Sequence, residues 1–101
     1  MSITSNASGD GKTVNINING NFDYSCHGEF RESYRDMPQG SAEYIINLNG
    51  ASYMDSSALG MLLLLREHAG GDSANISITN CDTEIKKILE ISNFDKLFTI
   101  R

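Results

Sequence analysis

Met54-Asp55-Ser56-Ser57-Ala58-Leu59-Gly60 lies between two apolar runs, Tyr44-Ile45-Ile46-Asn47-Leu48 before it and Met61-Leu62-Leu63-Leu64-Leu65 after it. The upstream run reads as a short strand, apolar enough to be buried on both faces. Asn49-Gly50-Ala51 reads as a turn out of it. The downstream run reads as a helix over 57–69, stopped by Gly70-Gly71. Two hydroxyls therefore fall at a strand-to-helix junction, where backbone amides are free and the helix dipole is positive. An Asp at the cap with serines in the first turn is an ordinary way to start a helix. It is also a favourable electrostatic setting for a phosphoryl group.

Outward from that junction the signals alternate in period. Val14, Ile16 and Ile18 interleave with Asn15, Asn17 and Asn19, a period of two with one apolar and one polar face. A first strand over 3–8 precedes it across Ser8-Gly9-Asp10-Gly11, so a hairpin is expected. Gly20-Asn21-Phe22-Asp23 breaks the alternation. Residues 25–37 place Phe30 and Tyr34 four apart on one helical face, and this helix should stop before Pro38-Gln39-Gly40. In the 57–69 helix, Leu59, Leu62, Leu63 and Leu65 are expected on the sheet, leaving Met61 and Leu64 to cover something else. Asn75-Ile76-Ser77-Ile78-Thr79 is another strand. Asp82 or Thr83 can cap a last helix with Ile85, Ile88 and Leu89 inward, and 97–100 can add a short strand. Strand–helix alternation after an initial hairpin predicts an α/β domain, a single mixed sheet with helices packed on it. The 101 residues are expected to form a single domain, 1–101.

Bulk chemistry removes several function classes. The net charge is −5 and the basic residues are scattered, which argues against a nucleic-acid partner. No apolar stretch approaches the roughly 18 residues of a membrane span, and the first twelve residues lack a signal-peptide core. A cytoplasmic protein with no membrane contact is expected. Cys26 and Cys81 belong to no CxxC pair and are expected as free thiols. A serine nucleophile needs a base, and only His27 and His68 exist; GxSxG is absent around Ser56. His68, late in its helix, reads as a surface histidine. Cys26-His27, or Asp23 with Asp55, fall short of a metal site, and neither phosphate-loop signature is present. No enzyme activity, metal or cofactor is expected.

The residues resemble those of STAS-domain proteins, in particular the small anti-sigma factor antagonists of bacterial partner-switching systems. Four segments carry the likeness in order: Gly20-Asn21-Phe22-Asp23; Ile45-Ile46-Asn47-Leu48; Tyr53-Met54-Asp55-Ser56-Ser57-Ala58-Leu59-Gly60; and the run from Ile88 to Ile100. The resemblance implies a mixed sheet of four to five strands with helices mainly on one side. It implies that Ser56 is phosphorylated, with Asp23, Asp55 and Ser57 supporting the site. The partner-binding surface expected around it is Met54, Ala58, Leu59, Gly60, Met61 and Leu64. The implied partners are a serine-kinase anti-sigma factor, which the unphosphorylated protein binds so that its target is released, and a PP2C-type phosphatase that restores the serine. A monomer is expected. The alternative is a non-switching STAS subunit of a transport or other regulatory complex. Ala58 replaces the family's usual glycine, and the sequence ends at Arg101 where many relatives continue into a further helix.

Overall fold

The alternating segment becomes the second of five strands in the computed structural model, which describes residues 2–37 and 42–101. Pro38-Gln39-Gly40, the expected helix stop, lies outside the described residues. Strands β1 (Ser2–Ala7), β2 (Thr13–Phe22), β3 (Glu43–Met54), β4 (Asn75–Thr79) and β5 (Thr99–Ile100) form one sheet in the order 1-2-3-4-5. The β1–β2 hairpin is antiparallel and the remaining neighbours are parallel. Helices α1 (His27–Tyr34), α2 (Ser56–His68) and α3 (Thr83–Ile91) complete the fold. The hairpin loop is closed by Asp10, whose carboxylate accepts from the Ser8 hydroxyl and from Lys12 N at 3.0 Å, while Gly11 takes φ +71.

Val14, Ile16, Ile18 and Phe22 from β2, Tyr44, Ile46 and Leu48 from β3, and Ile76 and Ile78 from β4 form the sheet side of the core. The intervening residues are only half-buried at Asn15, Asn17, Ile45 and Asn47. The expectation that 44–48 is buried on both sides is therefore corrected: one face is sealed and the other is half-buried, with Ile45 set beside the asparagines. On that outer face Asn47 accepts from Asn80 at 2.9 Å and donates to Asn17 at 3.1 Å.

The expected turn at Asn49-Gly50-Ala51 is also overturned, since β3 runs unbroken to Met54. Register shifts between Asn17 and Asn19 and between Gly20 and Asn21 put extra residues on β3. Each bulge resets the alternation, so Leu48, Ala51 and Met54 all face the core at intervals of three. Both glycines at these bulges have a steric reason. A Cβ on Gly50 would run into the Asn19 side chain, and Gly20 adopts φ +86.

The first helical segment is shorter than expected. Asp23 caps a 3₁₀ turn over Tyr24–Cys26, and α1 follows over His27–Tyr34 only. Its Phe30 and Tyr34 rings meet edge-on at 5.5 Å, and Phe30 packs against Phe22 at 5.1 Å. Helix α2 buries Ala58, Met61, Leu62 and Leu65, and leaves Leu63 and Leu64 40% and 63% exposed. The expected inward Leu63 and outward Met61 are thus exchanged, with Leu59 half-buried at the edge of the stripe. Five consecutive apolar residues cannot share one stripe at 3.6 residues per turn, and the phase set at Asp55 selects 58, 61, 62 and 65. Helix α3 matches its pattern, with Ile85 and Leu89 buried, Ile88 half-buried and Lys86, Lys87 and Glu90 outward.

Candidate functional site

Three parallel strands end on the same edge of the sheet, and each is followed by an aspartate that caps the next helical turn. Asp23 follows β2 and accepts from Ser25 N at 3.0 Å and from the Ser25 hydroxyl. Asp55 follows β3 and accepts from Ala58 N at 3.1 Å. Asp82 follows β4 and accepts from Ile85 N at 2.8 Å. Phe22 pairs with Met54 in the parallel register, and Asp55 N donates to Phe22 O at 3.4 Å. Asp23 and Asp55 therefore stand abreast at the ends of adjacent strands. Among the described residues the side-chain bonds of Asp23 go to Ser25, and none goes to Ser56 or Ser57.

The two serines are chemically distinct. The Ser57 hydroxyl, half-buried, donates to Asp55 Oδ1 at 2.7 Å. This bond, with help from the Ala58 and Ser57 amides, holds the Asp55 carboxyl below its ordinary value despite partial desolvation. Ser56 is the first residue of α2, exposed, with no hydrogen bond to its hydroxyl among the described residues. A bound hydroxyl and a free one thus sit side by side at the positive end of a 13-residue helix. No basic side chain flanks the free hydroxyl in the first turn of α2, whose sequence there is Ser56-Ser57-Ala58-Leu59.

The expected contact residues divide by burial. Met54, Ala58 and Met61 are 3%, 0% and 7% exposed, so they sit in the core under the surface rather than on it. Leu59 is half-buried, and Gly60 and Leu64 are exposed. Sequence reasoning overlooked Tyr53, which is 51% exposed at the end of β3. Tyr53 borders a groove of about 330 Å³ that runs past Ser52 and Met54 to Asp82, Glu84, Ile85 and Ile88 on α3. The period-three burial of β3 turns Tyr53 outward, and only the bulges produce that period.

His27 and His68 lie away from Ser56, along the groove between α1 and α2. His68 is half-buried, not a free surface residue: Nε2 lies 3.0 Å from Met37 O, and its ring meets Tyr34 at 5.0 Å and Tyr44 at 6.3 Å. Both cysteines are free thiols, and burial pushes each thiol pKa up, which disfavours the thiolate. Among the described residues no three His, Cys, Asp or Glu side chains converge as a metal site would require, and no helix is long and apolar enough to cross a membrane.

A five-stranded mixed sheet with three helices and a serine-bearing strand-to-helix junction defines a STAS-type module. The chain belongs to the STAS-domain family: residues 5–100 match the family described as "Mlab, STAS domain", a family generally without catalytic activity. It is 51% identical over 100 residues to a STAS-domain containing protein of Pseudomonas aeruginosa (strain UCBPP-PA14), with 99% of both chains covered. Its fold is similar to that of an anti-sigma factor antagonist from Mycobacterium paratuberculosis, at TM-score 0.73 and 16% identity over 98% of this chain and 85% of that one. It is similar also to the anti-sigma factor antagonist SpoIIAA in its unphosphorylated form, at TM-score 0.66 and 17% identity over 95% and 97%.

Proposed function

We propose that the protein is a phosphorylation-switched binding module, an anti-sigma factor antagonist whose switch is Ser56. The observation that carries this reading is the inequality of the two hydroxyls: Ser57 is committed to Asp55, whereas Ser56 is exposed and makes no hydrogen bond through its hydroxyl among the described residues. A kinase needs a hydroxyl it can reach without first dismantling a cap. The unphosphorylated protein binds a serine-kinase anti-sigma factor and frees its target. Transfer of the ATP γ-phosphoryl group to Ser56 Oγ releases ADP and a proton, and a PP2C-type phosphatase hydrolyses the ester.

The electrostatics account for a change in binding without unfolding. The phosphate adds about −1.5 to −2 charges at the positive end of α2, which offsets its repulsion by Asp55 and Asp23. No such compensation exists in a complex that lays an apolar partner over Leu59, Gly60 and Leu64. Swinging a complex from nearly full to nearly empty takes about 5.5 kcal/mol of differential affinity. Desolvating a dianion in such an interface is of that order.

The test uses the wild-type, Ser56→Ala and Ser56→Asp proteins as baits, followed by phosphorylation with the captured kinase and ATP. Ser56→Ala should retain the kinase, Ser56→Asp should not, and mass spectrometry should find one phosphoryl group on Ser56. A phosphoryl group on Ser57, or equal retention by Ser56→Asp, refutes the assignment. Stable capture of one partner regardless of Ser56 substitution would identify a fixed subunit of a larger assembly instead.

A further inference from the structure

Helices α1 and α2 leave between them a groove of about 380 Å³, whose lining includes neither Asp55, Ser56 nor Ser57. Phe30 and Tyr34 form one wall, and Met61 and Leu64 form the other. We propose that this groove is a binding site for a small organic carboxylate with an apolar body, aromatic or medium-chain aliphatic.

Size and lining point to a small molecule. The volume falls within the range of roughly 300–1,000 Å³ common to ligand pockets, and its walls are apolar with few polar groups. The end wall is rigid: His68 is held by Met37 O at 3.0 Å and clamped by the rings of Tyr34 and Tyr44. At the other end His27 is fixed by stacking on Tyr24 at 4.4 Å, with Nδ1 3.1 Å from Tyr24 O. A backbone carbonyl can only accept, so Nδ1 of His27 and Nε2 of His68 carry protons.

The sign of the charge comes from Arg31. In a chain of net charge −5, no carboxylate lines this groove among the described residues, and Arg31 brings a permanent positive charge to it. Among the described residues Arg35 and Arg66 are held in ion pairs with Glu32 and Asp72, but Arg31 has no such partner. The Tyr34 ring is buried, and its hydroxyl, with no hydrogen bond to another described residue, is open to an incoming ligand. An unpaired guanidinium beside a phenol donor, over an apolar floor, is complementary to a carboxylate bearing a hydrocarbon.

This inference stands apart from the proposed switch: Leu64 also belongs to the proposed partner surface, so an occupant would compete at its edge, but binding can be read on the protein alone. The probes are 4-phenylbutyrate and octanoate, with 4-phenylbutan-1-ol as the neutral isostere, titrated into the ¹⁵N-labelled full chain. Both acids should give saturable amide shifts confined to the groove residues, and the alcohol should bind about tenfold more weakly. Arg31→Gln should weaken the acids about tenfold and leave the alcohol unchanged, with partial rescue in Arg31→Lys. Absence of saturation, equal affinity for acid and alcohol, or indifference to Arg31→Gln overturns the proposal. So does loss of protein-partner capture on Arg31→Gln when neither acid binds, since the groove is then a protein-docking surface. The comparison of acid with alcohol on the wild-type protein decides the question even if a variant fails to fold. Saturation by one acid and not the other supports the site and identifies the aromatic or the aliphatic class.

Discussion

Substituting the three residues at the start of α2 one at a time should give three different stability losses, and their order tests the asymmetry on which the proposed switch rests. Asp55 accepts from Ala58 N at 3.1 Å and from the Ser57 hydroxyl at 2.7 Å. Asp55→Ala removes a helix cap and leaves Ser57 without its acceptor, a loss of about 1.5 kcal/mol. Ser57→Ala removes one side-chain bond and leaves the cap, about 1 kcal/mol. Ser56→Ala removes an exposed hydroxyl with no partner among the described residues, so its effect should stay within about 0.5 kcal/mol. In a domain of this size the first change lowers Tm by roughly 6–12 °C, which thermal melts followed by circular dichroism resolve easily. The double variant Asp55→Ala/Ser57→Ala should fall short of additivity by about 1 kcal/mol, because both single changes break the same bond. A loss on Ser56→Ala equal to that on Ser57→Ala would refute the reasoning, since Ser56 would then be held by the fold and not free for transfer. Strict additivity would remove the Asp55–Ser57 bond from the account.

The remaining predictions concern the same junction and the elements that set it. The folded-state pKa of Asp55 is lowered below 3.8, so the stability this carboxylate contributes is complete above that value. It is lost as pH falls through the lowered folded value, and urea melts between about pH 5 and about pH 2 should show a shallower slope in Asp55→Asn. Leu62, fully buried, should cost about 3 kcal/mol on truncation to Ala, whereas Leu64, 63% exposed, should cost under about 0.5 kcal/mol. Equal losses in denaturant melts would mean that the face of α2 is misassigned. Gly50→Ala should destabilise by about 1–3 kcal/mol, since its Cβ meets the Asn19 side chain and lies 3.3 Å from Asn19 Cα. Gly20→Ala, at φ +86, should cost about 1–2 kcal/mol, and neutral melts for both would remove the bulges from the account.

Strands and helices signalled by strict periodicity were legible without coordinates. Val14, Ile16 and Ile18 declared β2, Ile85 and Leu89 declared α3, and Asp55, Asp82 and Gly70-Gly71 marked helix ends, because period and capping chemistry are local properties of the chain. Asn49-Gly50-Ala51 misled because its composition is that of a turn, while the neighbouring strand accommodates it as a bulge. The run Met61–Leu65 misled because every residue in it is apolar, so hydropathy carries no phase there. The cap at Asp55 supplies the phase, and the sheet decides which stripe it turns inward.

The site shows the same division. Sequence alone placed two hydroxyls after an aspartate at a strand-to-helix junction, because strand, cap and helix signals are written within a few residues of one another. It also supplied the ordered segments that resemble the STAS family. Tertiary structure decided what local sequence cannot encode: that parallel register sets Asp23 abreast of Asp55, that Met54, Ala58 and Met61 are core while Leu64 and Tyr53 are surface, and that Arg31, without an ion pair among the described residues, borders an apolar groove. Each depends on contacts between residues distant in the chain, where register and burial are settled by packing of the whole sheet against its helices.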